Sequence, residues 1–304
     1  METGPQEASS TYRVTVEAEP RTAGRIARVL DETEDPQALS VSYFDLGNGQ
    51  FEVSALYAER PDEAALNTLI GKAAEGDAVT PLSVEDMPDA DWVTVSQGQR
   101  QPVRAGRFLI HGSHDRDKIT RNRFTIEIDA DQAFGTAHHA STRGCLLALD
   151  DLAKRGRPDL VLDLGTGTGI LAIAAARAFD RPVVATDNDP VAVAIAKANA
   201  RKAGLSQQIH VFVAEGLAHP MLRRLKPDLI VANILAAPLH GLAPAMARTL
   251  RPGGYAILSG LTTDQAPGIE ARYGAHGFTR EKRILLDGWA TLVVGRGSTS
   301  VLSD

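Results

Sequence analysis

The second half of the chain alternates short apolar runs with longer segments in which apolar residues recur at helical spacing. The short runs predict buried strands and the longer segments amphipathic helices, because strands repeat every two residues and helices about every 3.6. We place strands at 160–164, 182–186, 209–214, 229–232, 255–259, 279–285 and 290–294. We place helices at 142–154, 169–179, 190–203, 238–250 and 265–273. This alternation predicts a doubly wound α/β sheet of seven strands, parallel except for a closing antiparallel hairpin.

The first 85 residues have a different pattern. In order, we predict a strand over 12–18, a helix over 22–32, strands around 39–43 and 51–55, a helix over 62–70 and a strand over 81–85. Gly47-Asn-Gly49 is a strong hairpin signal between the two middle strands, and Asp62 suits the cap of the second helix. The order β-α-β-β-α-β is that of a small ferredoxin-like α+β domain.

Residues 86–133 carry mixed signals, and we interpret them as a bridge between a domain over 1–85 and a second domain over 134–304. Two short strands are expected within the bridge. Between residues 100 and 123 the basic side chains outnumber the two acids, Asp115 and Asp117, and they are Arg100, Arg104, Arg107, Arg116, Lys118, Arg121 and Arg123. They form either a solvated surface with local salt bridges or a patch that steers an acidic partner, and the sequence leaves both interpretations open.

The bulk composition limits the class of protein. The 304 residues carry a net charge of −6, whereas a general nucleic-acid-binding protein is usually basic. A single cysteine, Cys145, excludes an internal disulfide and fits a reducing compartment. The N-terminus shows no secretory signal, and the most apolar window, 229–247, is interrupted by Asn233, two prolines and His240. We therefore expect a cytoplasmic protein without a membrane span.

The most informative segment follows the first strand of the second domain. It reads D-x-G-x-G-x-G over 163–169, and Asp187 ends the next predicted strand. A strand, a glycine turn and a helix, with an acidic residue on the neighbouring strand, form a site for an adenosine ligand. The dinucleotide spacing G-x-G-x-x-G would need glycine at position 170, which is Ile170. This spacing therefore argues against a dinucleotide.

The turn resembles motif I of the class I methyltransferases, which bind S-adenosylmethionine. Gly165 and Gly167 would let the backbone approach the methionine part of the cofactor without Cβ collisions. Asp187 would accept hydrogen bonds from both ribose hydroxyls. Asp163 has two open roles, bonding backbone amides in the turn or touching the cofactor amine. Asp189 suits a helix N-cap.

Two further segments point to specificity. The first is A-F-G-T-A-H-H-A-S-T over 133–142, and the second is V-A-N-I-L-A-A-P-L over 231–239, at the end of the fourth strand. Ligands of open α/β sheets bind beyond the carboxyl ends of the strands, so Asn233 would lie where the methyl group and its acceptor meet. With the glycine turn and the closing hairpin, these segments resemble the ribosomal protein L11 methyltransferase family over nearly the whole chain.

The resemblance implies a seven-stranded, Rossmann-like class I methyltransferase sheet, preceded by a ferredoxin-like domain that recognises the substrate. It implies that Thr142, Gly165, Asp187 and Asn233 contact S-adenosylmethionine. It also implies that the enzyme methylates lysine side chains, the N-terminal amino group or both on ribosomal protein L11. The chain departs from the family pattern at two places. The second glycine of the family's F-G-T-G is Ala137 here, and the family's P-T-T is Ala140-Ser141-Thr142.

Transfer of a methyl group to an amine requires an uncharged nitrogen held in line with the reacting carbon. A free lysine has a pKa of about 10.4, and burial in an apolar pocket lowers that pKa. Asn233 offers a side-chain and a main-chain carbonyl that accept amine hydrogens, so we expect it to be the catalytic residue, acting by positioning. No dedicated general base is expected.

Three other functions are alternatives to methylation of ribosomal protein L11. A related lysine methyltransferase could act on another protein, such as the beta subunit of electron-transfer flavoprotein. A nucleic-acid amine methyltransferase would place an aromatic ring after Asn-Pro-Pro, whereas Asn233 is followed by Ile-Leu-Ala. An NAD-dependent oxidoreductase, or a sensor that binds an adenosine ligand without catalysis, is a third alternative, and Ile170 and the hairpin argue against the oxidoreductase.

The expected partners are few. We expect a protein substrate, no nucleic-acid or membrane partner, and a monomer. No metal site is expected at His138 and His139, because adjacent residues seldom face one ion and no cysteine or carboxylate cluster accompanies them.

Overall fold

A computed structural model of the chain describes residues 11–33, 35–46, 49–87, 102–129 and 140–297. The chain forms two compact units, Met1–Gln99 and Arg100–Asp304. The described residues of each unit enclose a hydrophobic core of their own. Residues 102–129 pack within the second unit, and the expected domain limits after 85 and after 133 remain predictions.

The described residues of the first unit form a four-stranded antiparallel sheet and two helices. Its elements are β1 (Thr11–Ala18), α1 (Pro20–Glu32), β2 (Ser40–Asp45), β3 (Phe51–Tyr57), α2 (Glu63–Ala74) and β4 (Ser83–Met87). The strands lie in the order β2-β3-β1-β4, and every neighbouring pair is antiparallel. The chain thus follows the β-α-β-β-α-β order that the sequence predicted.

Local sequence explains both helices of this unit. In α1 the spacing i, i+3, i+4, i+7 places one apolar face on the core, formed by Ala23, Ile26, Ala27 and Leu30. Asp62 caps α2 as expected, with its carboxylate accepting from the Ala64 amide at 2.8 Å. The helix continues past the expected end at Ile70 to Ala74, where Glu75 takes a left-handed conformation. Residues 47 and 48 of the expected hairpin turn lie outside the described residues.

The second unit is organised around a seven-stranded sheet. Its strands are β8 (Val161–Leu164), β9 (Val183–Asp187), β10 (Ile209–Val213), β11 (Leu229–Asn233), β12 (Tyr255–Thr262), β13 (Phe278–Leu286) and β14 (Trp289–Arg296). They lie in the order β10-β9-β8-β11-β12-β14-β13. The strand β14 runs antiparallel to both of its neighbours, β12 and β13, and every other neighbouring pair in this sheet is parallel. The predicted doubly wound sheet with its closing hairpin is confirmed.

Helices cover both faces of this sheet. They are α3 (Ala140–Arg155), α4 (Ile170–Phe179), α5 (Pro190–Lys202), α6 (Pro220–Arg224), α7 (Ala236–Thr249) and α8 (Ala266–Gly274). The helices α3, α4 and α5 pack with Val161 and Val231, and α6, α7 and α8 with Leu162 and Ile230. Burial on both faces is the reason why these strands read as continuous apolar runs.

Two features of these helices differ from the sequence prediction. The short α6 was expected to be loop, because five residues are too few to show a helical period; the His219 ring caps it by accepting from the Met221 amide at 3.2 Å. The next helix begins at Ala236 and not at Pro238. Proline is tolerated throughout a first turn, since the amides there have no partner within the helix.

The described part of the bridge forms a small three-stranded sheet in the second unit. Its strands are β5 (Val103–Ala105), β6 (Phe108–His111) and β7 (Thr125–Glu127), in that order. Phe108 and Ile126 are fully buried in the core shared with α3 and α4. The two short strands expected in this region are present as β6 and β7.

Most basic side chains of the bridge have acidic partners. Arg107 pairs with Asp150, which lies on α3, and Lys118 with Asp115 at 3.0 Å. Arg116 and Arg121 both contact Glu127, and Arg123 approaches Asp180. These pairs favour the interpretation of local salt bridges over a free basic patch.

No helix in the described part of the chain is long and apolar enough to cross a bilayer.

Candidate active site

The glycine turn between β8 and α4 is held by main-chain hydrogen bonds to the neighbouring strand. The amides of Gly165 and Thr166 donate to the Thr186 carbonyl at 2.8 and 2.9 Å. Gly165, Gly167 and Gly169 have φ angles of 70°, 53° and 83°, a region that favours glycine. The predicted turn is therefore present, at the carboxyl ends of β8 and β9.

Glycine at position 165 also makes room for a neighbouring strand end. A Cβ added at Gly165 would lie 2.3 Å from Cγ2 of Ile234, the residue that follows Asn233. At Gly169 an added Cβ would lie 3.2 Å from the Cα of Ala196 on α5. From the sequence, Gly165 was expected only to let the cofactor approach the main chain. The structure adds a packing reason, which depends on a residue far along the chain.

The carboxylate of Asp187 is fixed at the end of β9. Its Oδ2 accepts from the Gly167 amide at 2.8 Å, and its Oδ1 accepts from the Asp189 amide at 3.1 Å. Asp189 in turn caps α5 by accepting from the Val191 amide at 2.8 Å, which confirms the expected N-cap. Each oxygen of Asp187 keeps further acceptor capacity, so the half-buried carboxylate can receive additional donors.

Asp163 lies in a very different environment, although it is on the adjacent strand. It is buried, its Oδ2 accepts from the Thr166 hydroxyl at 2.6 Å, and its Oδ1 has no hydrogen-bond partner among the described residues. Burial raises the pKa of Asp163 to about 7, although the Thr166 hydroxyl and the Ala172 amide lower that pKa. From the sequence the expected partners of Asp163 were main-chain amides or the cofactor amine, and the structure adds the Thr166 hydroxyl.

Asn233 and Thr142 meet although they belong to distant segments of the chain. Asn233 Nδ2 donates to Thr142 Oγ1 at 3.2 Å, from the end of β11 to the first turn of α3. Because the Asn233 amide nitrogen is the donor in this bond, the side-chain carbonyl oxygen of Asn233 can accept a hydrogen bond from another group. The structure thus brings together one residue from each segment that the sequence singled out. Residues 133–139 of the first segment, among them Ala137, His138 and His139, lie outside the described residues.

A buried polar layer lies behind this pair. The Ser259 hydroxyl on β12 contacts Thr291 Oγ1 at 2.7 Å, and it lies 3.3 Å from the Ser141 carbonyl. Cys145 lies beside this layer, and burial raises its pKa to about 12, so the thiol stays protonated and unreactive. Ser259 and Thr291 were not predicted to lie at the site, because single hydroxyls inside apolar strands give no distinct signal in the sequence.

Metal ligation has no support from the described side chains. Among them there is no group of three or more histidine, cysteine, aspartate or glutamate residues that is suited to hold an ion. The carboxylates at the carboxyl edge of the sheet instead contact main-chain amides and a hydroxyl.

The fold and this site together define the class of the protein. The sheet order with its antiparallel β14, the glycine turn after β8 and the carboxylate at the end of β9 are the features of a class I methyltransferase.

Comparison with known proteins gives the family. A family model described as ribosomal protein L11 methyltransferase matches residues 16–297. A protein named ribosomal protein L11 methyltransferase from Bradyrhizobium diazoefficiens is 45% identical over 273 residues, which cover 90% of this chain and 92% of the relative. One from Rhodopseudomonas palustris is 42% identical over 95% of this chain and 99% of its own length. The crystal structure of a ribosomal protein L11 methylase from Lactobacillus delbrueckii superposes with a TM-score of 0.56 at 28% identity, covering 65% of this chain and 98% of that one.

The chain therefore belongs to the ribosomal protein L11 methyltransferase family. It is a methyltransferase that depends on S-adenosylmethionine, as the glycine turn and the resemblance predicted.

Proposed function

We propose that this enzyme transfers methyl groups from S-adenosylmethionine to amino groups of ribosomal protein L11, on lysine side chains, at the N-terminus or both. The names of relatives that match 90% or more of the chain support this substrate. No relative reported above supports electron-transfer flavoprotein as the target. The contact between Asn233 and Thr142 at the edge of the sheet is the observation in this chain that carries the proposal.

The residues at the glycine turn fit the cofactor. Gly165 and Gly167 have positive φ angles and carry no Cβ, and Asp187 holds acceptor capacity on the neighbouring strand. The buried Asp163 Oδ1, which has no partner among the described residues, offers a further acceptor. We assign Thr142, Gly165, Gly167, Asp187 and Asn233 to cofactor binding. When bound, S-adenosylmethionine supplies the electrophilic methyl group of its sulfonium.

Asn233 is assigned the catalytic role. Its side-chain carbonyl and its main-chain carbonyl can accept the hydrogens of an uncharged amine and orient the nitrogen lone pair. The hydrogen bond to Thr142 fixes the amide group and therefore the direction of its oxygen. Positioning of this kind contributes several kcal/mol in well-oriented systems and requires no general base.

The setting of the reaction is proposed as well. The first unit is assigned to recognition of the protein substrate, in the role that the family resemblance implies. We propose a monomer that acts in the cytoplasm, where ribosomal proteins are made, and that reads no nucleic acid directly.

The test uses the purified enzyme, S-adenosylmethionine and purified ribosomal protein L11, with intact-mass and peptide mass spectrometry. We expect mass gains of whole methyl groups on L11 and none on the beta subunit of electron-transfer flavoprotein. Asn233→Ala should lower kcat by about a hundredfold or more while the Tm stays within a few degrees of the parent. An unmodified L11, or a variant as active as the parent, would contradict the proposal.

A further inference from the structure

A β-bulge lies beside the end of β11. In the pairing of β12 with β14, Leu258 is opposite Leu292 and Leu261 is opposite Ala290. Ser259 and Gly260 therefore share the single partner position of Thr291. Bulges occur often next to active sites, where they redirect a strand or a side chain.

The hydroxyl of Ser259 connects three elements at this bulge. Ser259 is fully buried, and its Oγ lies 2.7 Å from Thr291 Oγ1, 3.2 Å from the Ala290 carbonyl and 3.3 Å from the Ser141 carbonyl. A hydroxyl has one hydrogen and accepts others. Thr291 can therefore donate to Ser259, and Ser259 shares its single hydrogen between the carbonyls of Ala290 on β14 and Ser141 on α3.

The main chain of the same bulge holds the residue after Asn233. Asn233 and Ser259 are partners in the parallel register of β11 and β12, and the Ile234 amide donates to the Ser259 carbonyl at 3.2 Å. Gly260 has a φ of 83°, and a Cβ there would lie 2.3 Å from the Ile234 carbonyl oxygen. This close approach leaves the exit of β11 little freedom to move.

We propose that Ser259 is a positioning residue for methyl transfer, an inference that rests on the role proposed above for Asn233. Its hydroxyl holds Ser141, next to Thr142, and its main-chain carbonyl holds Ile234, next to Asn233. One residue thus sets the separation of the two side chains that meet at the site. A displacement of about 1 Å in a reacting geometry can cost about a hundredfold in rate.

The first test compares Ser259→Ala with Tyr273→Phe as a matched control. Tyr273 is also fully buried and donates its hydroxyl to a main-chain carbonyl, that of Leu239 at 3.1 Å, between α8 and α7. Both variants should lower the Tm by a few degrees. Only Ser259→Ala should lower kcat, by about tenfold, with its affinity for S-adenosylmethionine within about threefold of the parent. Equal kcat values for the two variants would show that Ser259 is merely structural.

The second test uses the partner hydroxyl. Thr291→Val removes it without changing the shape, and it should lower kcat in the same way as Ser259→Ala. Thr291→Ser keeps the hydroxyl and should restore most of the parent kcat. Failure of this rescue, with both variants equally impaired, would contradict the proposed network.

A structural readout separates this inference from the proposed function. Crystal structures of the parent and of Ser259→Ala should show the hydrogen bond from Asn233 Nδ2 to Thr142 Oγ1 in the parent only. Its retention in the variant would overturn the inference, whatever the substrate is. A parent enzyme that leaves ribosomal protein L11 unmodified would instead overturn the proposed function, and the crystal comparison would still decide the role of Ser259.

Discussion

Asp163 and Asp187 end neighbouring strands, yet their surroundings give them different chemistry. Asp187 is half-buried and faces two main-chain amides, which suits a charged acceptor. Asp163 is enclosed, accepts from the Thr166 hydroxyl, and has its pKa raised by burial to about 7. Burial, and not residue type, therefore decides which carboxylate is suited to the polar end of a ligand.

We predict that Asp187→Ala weakens the binding of S-adenosylmethionine by more than tenfold. The variant loses the proposed acceptor for the ribose and the bond that fixes the Gly167 amide. Isothermal calorimetry measures the Kd directly. Asp187→Asn keeps one acceptor oxygen and should lose less affinity. Parent-like affinity in the alanine variant would refute the ribose role.

A second prediction concerns Asp163 and pH. Its folded-state pKa of about 7 lies above its ordinary value of 3.8, so between these values the folded protein holds more protons than the unfolded chain. The stability of the parent should therefore fall as the pH rises through this window. Asn at this position does not titrate. The stability of Asp163→Asn relative to the parent should rise by a few kcal/mol between pH 4 and 8.

Urea unfolding of the ligand-free proteins at several pH values tests this effect. The informative quantity is the change of the stability difference with pH, since the substitution also alters one hydrogen bond at every pH. A difference that stays constant across the window would mean that Asp163 is ionised throughout.

At the scale of elements, Glu127 links the strand β7 to neighbouring segments through ion pairs. Glu127 accepts from Arg116, from Arg121 at 3.1 Å and from Lys202 of α5 at 2.8 Å. The bond from Arg116, followed by the interactions with Lys202, lowers the pKa of Glu127 to about 2. Because three cations surround one largely buried carboxylate, this ion-pair network contributes more to stability than a single exposed ion pair.

We predict that Glu127→Gln lowers the free energy of unfolding by about 1–3 kcal/mol at pH 7. Because the folded-state pKa lies below the ordinary 4.5, this contribution is present above pH 4.5 and is lost as the pH falls toward 2. Chemical unfolding at pH 7 and pH 3.5 checks both statements. Glu63→Gln, which breaks the exposed pair with Arg60, is the control and should change stability by less than about 0.5 kcal/mol.

The elements that the sequence predicted well are those with a strong local period. Strands buried on both faces, such as β8 and β11, appear as apolar runs, and α5 has proline after its Asp189 cap. The short α6 and the true start of α7 were missed. Their ends depend on a histidine cap and on the first-turn amides, which a hydrophobic pattern does not record.

At the scale of the whole molecule, the two units have separate hydrophobic cores. Cofactor binding and substrate recognition can therefore be tested separately by removing the first unit. We predict that a chain lacking residues 1–85 binds S-adenosylmethionine with the parent affinity but methylates ribosomal protein L11 at less than about a hundredth of the parent rate. The glycine turn, Asp187 and Asn233 all lie in the second unit, which explains the retained binding. Calorimetry and a methylation assay measure the two quantities.

The thermal unfolding of the truncated chain serves as its control. A folded truncated chain that methylates ribosomal protein L11 like the parent would remove the recognition role from the first unit. A folded chain that no longer binds the cofactor would mean that residues 1–85 contribute to that site.

The sequence by itself determined the order of the elements, the glycine turn and the family, because each depends on residues that are close in the chain. It also named Asn233 and Thr142 separately. Only the tertiary structure decided that these two side chains touch across 91 positions, that Ser259 contacts the residue before Thr142, and that burial raises the pKa of Asp163. Such contacts and burials are set by the packing of distant segments, and a local pattern carries no record of them.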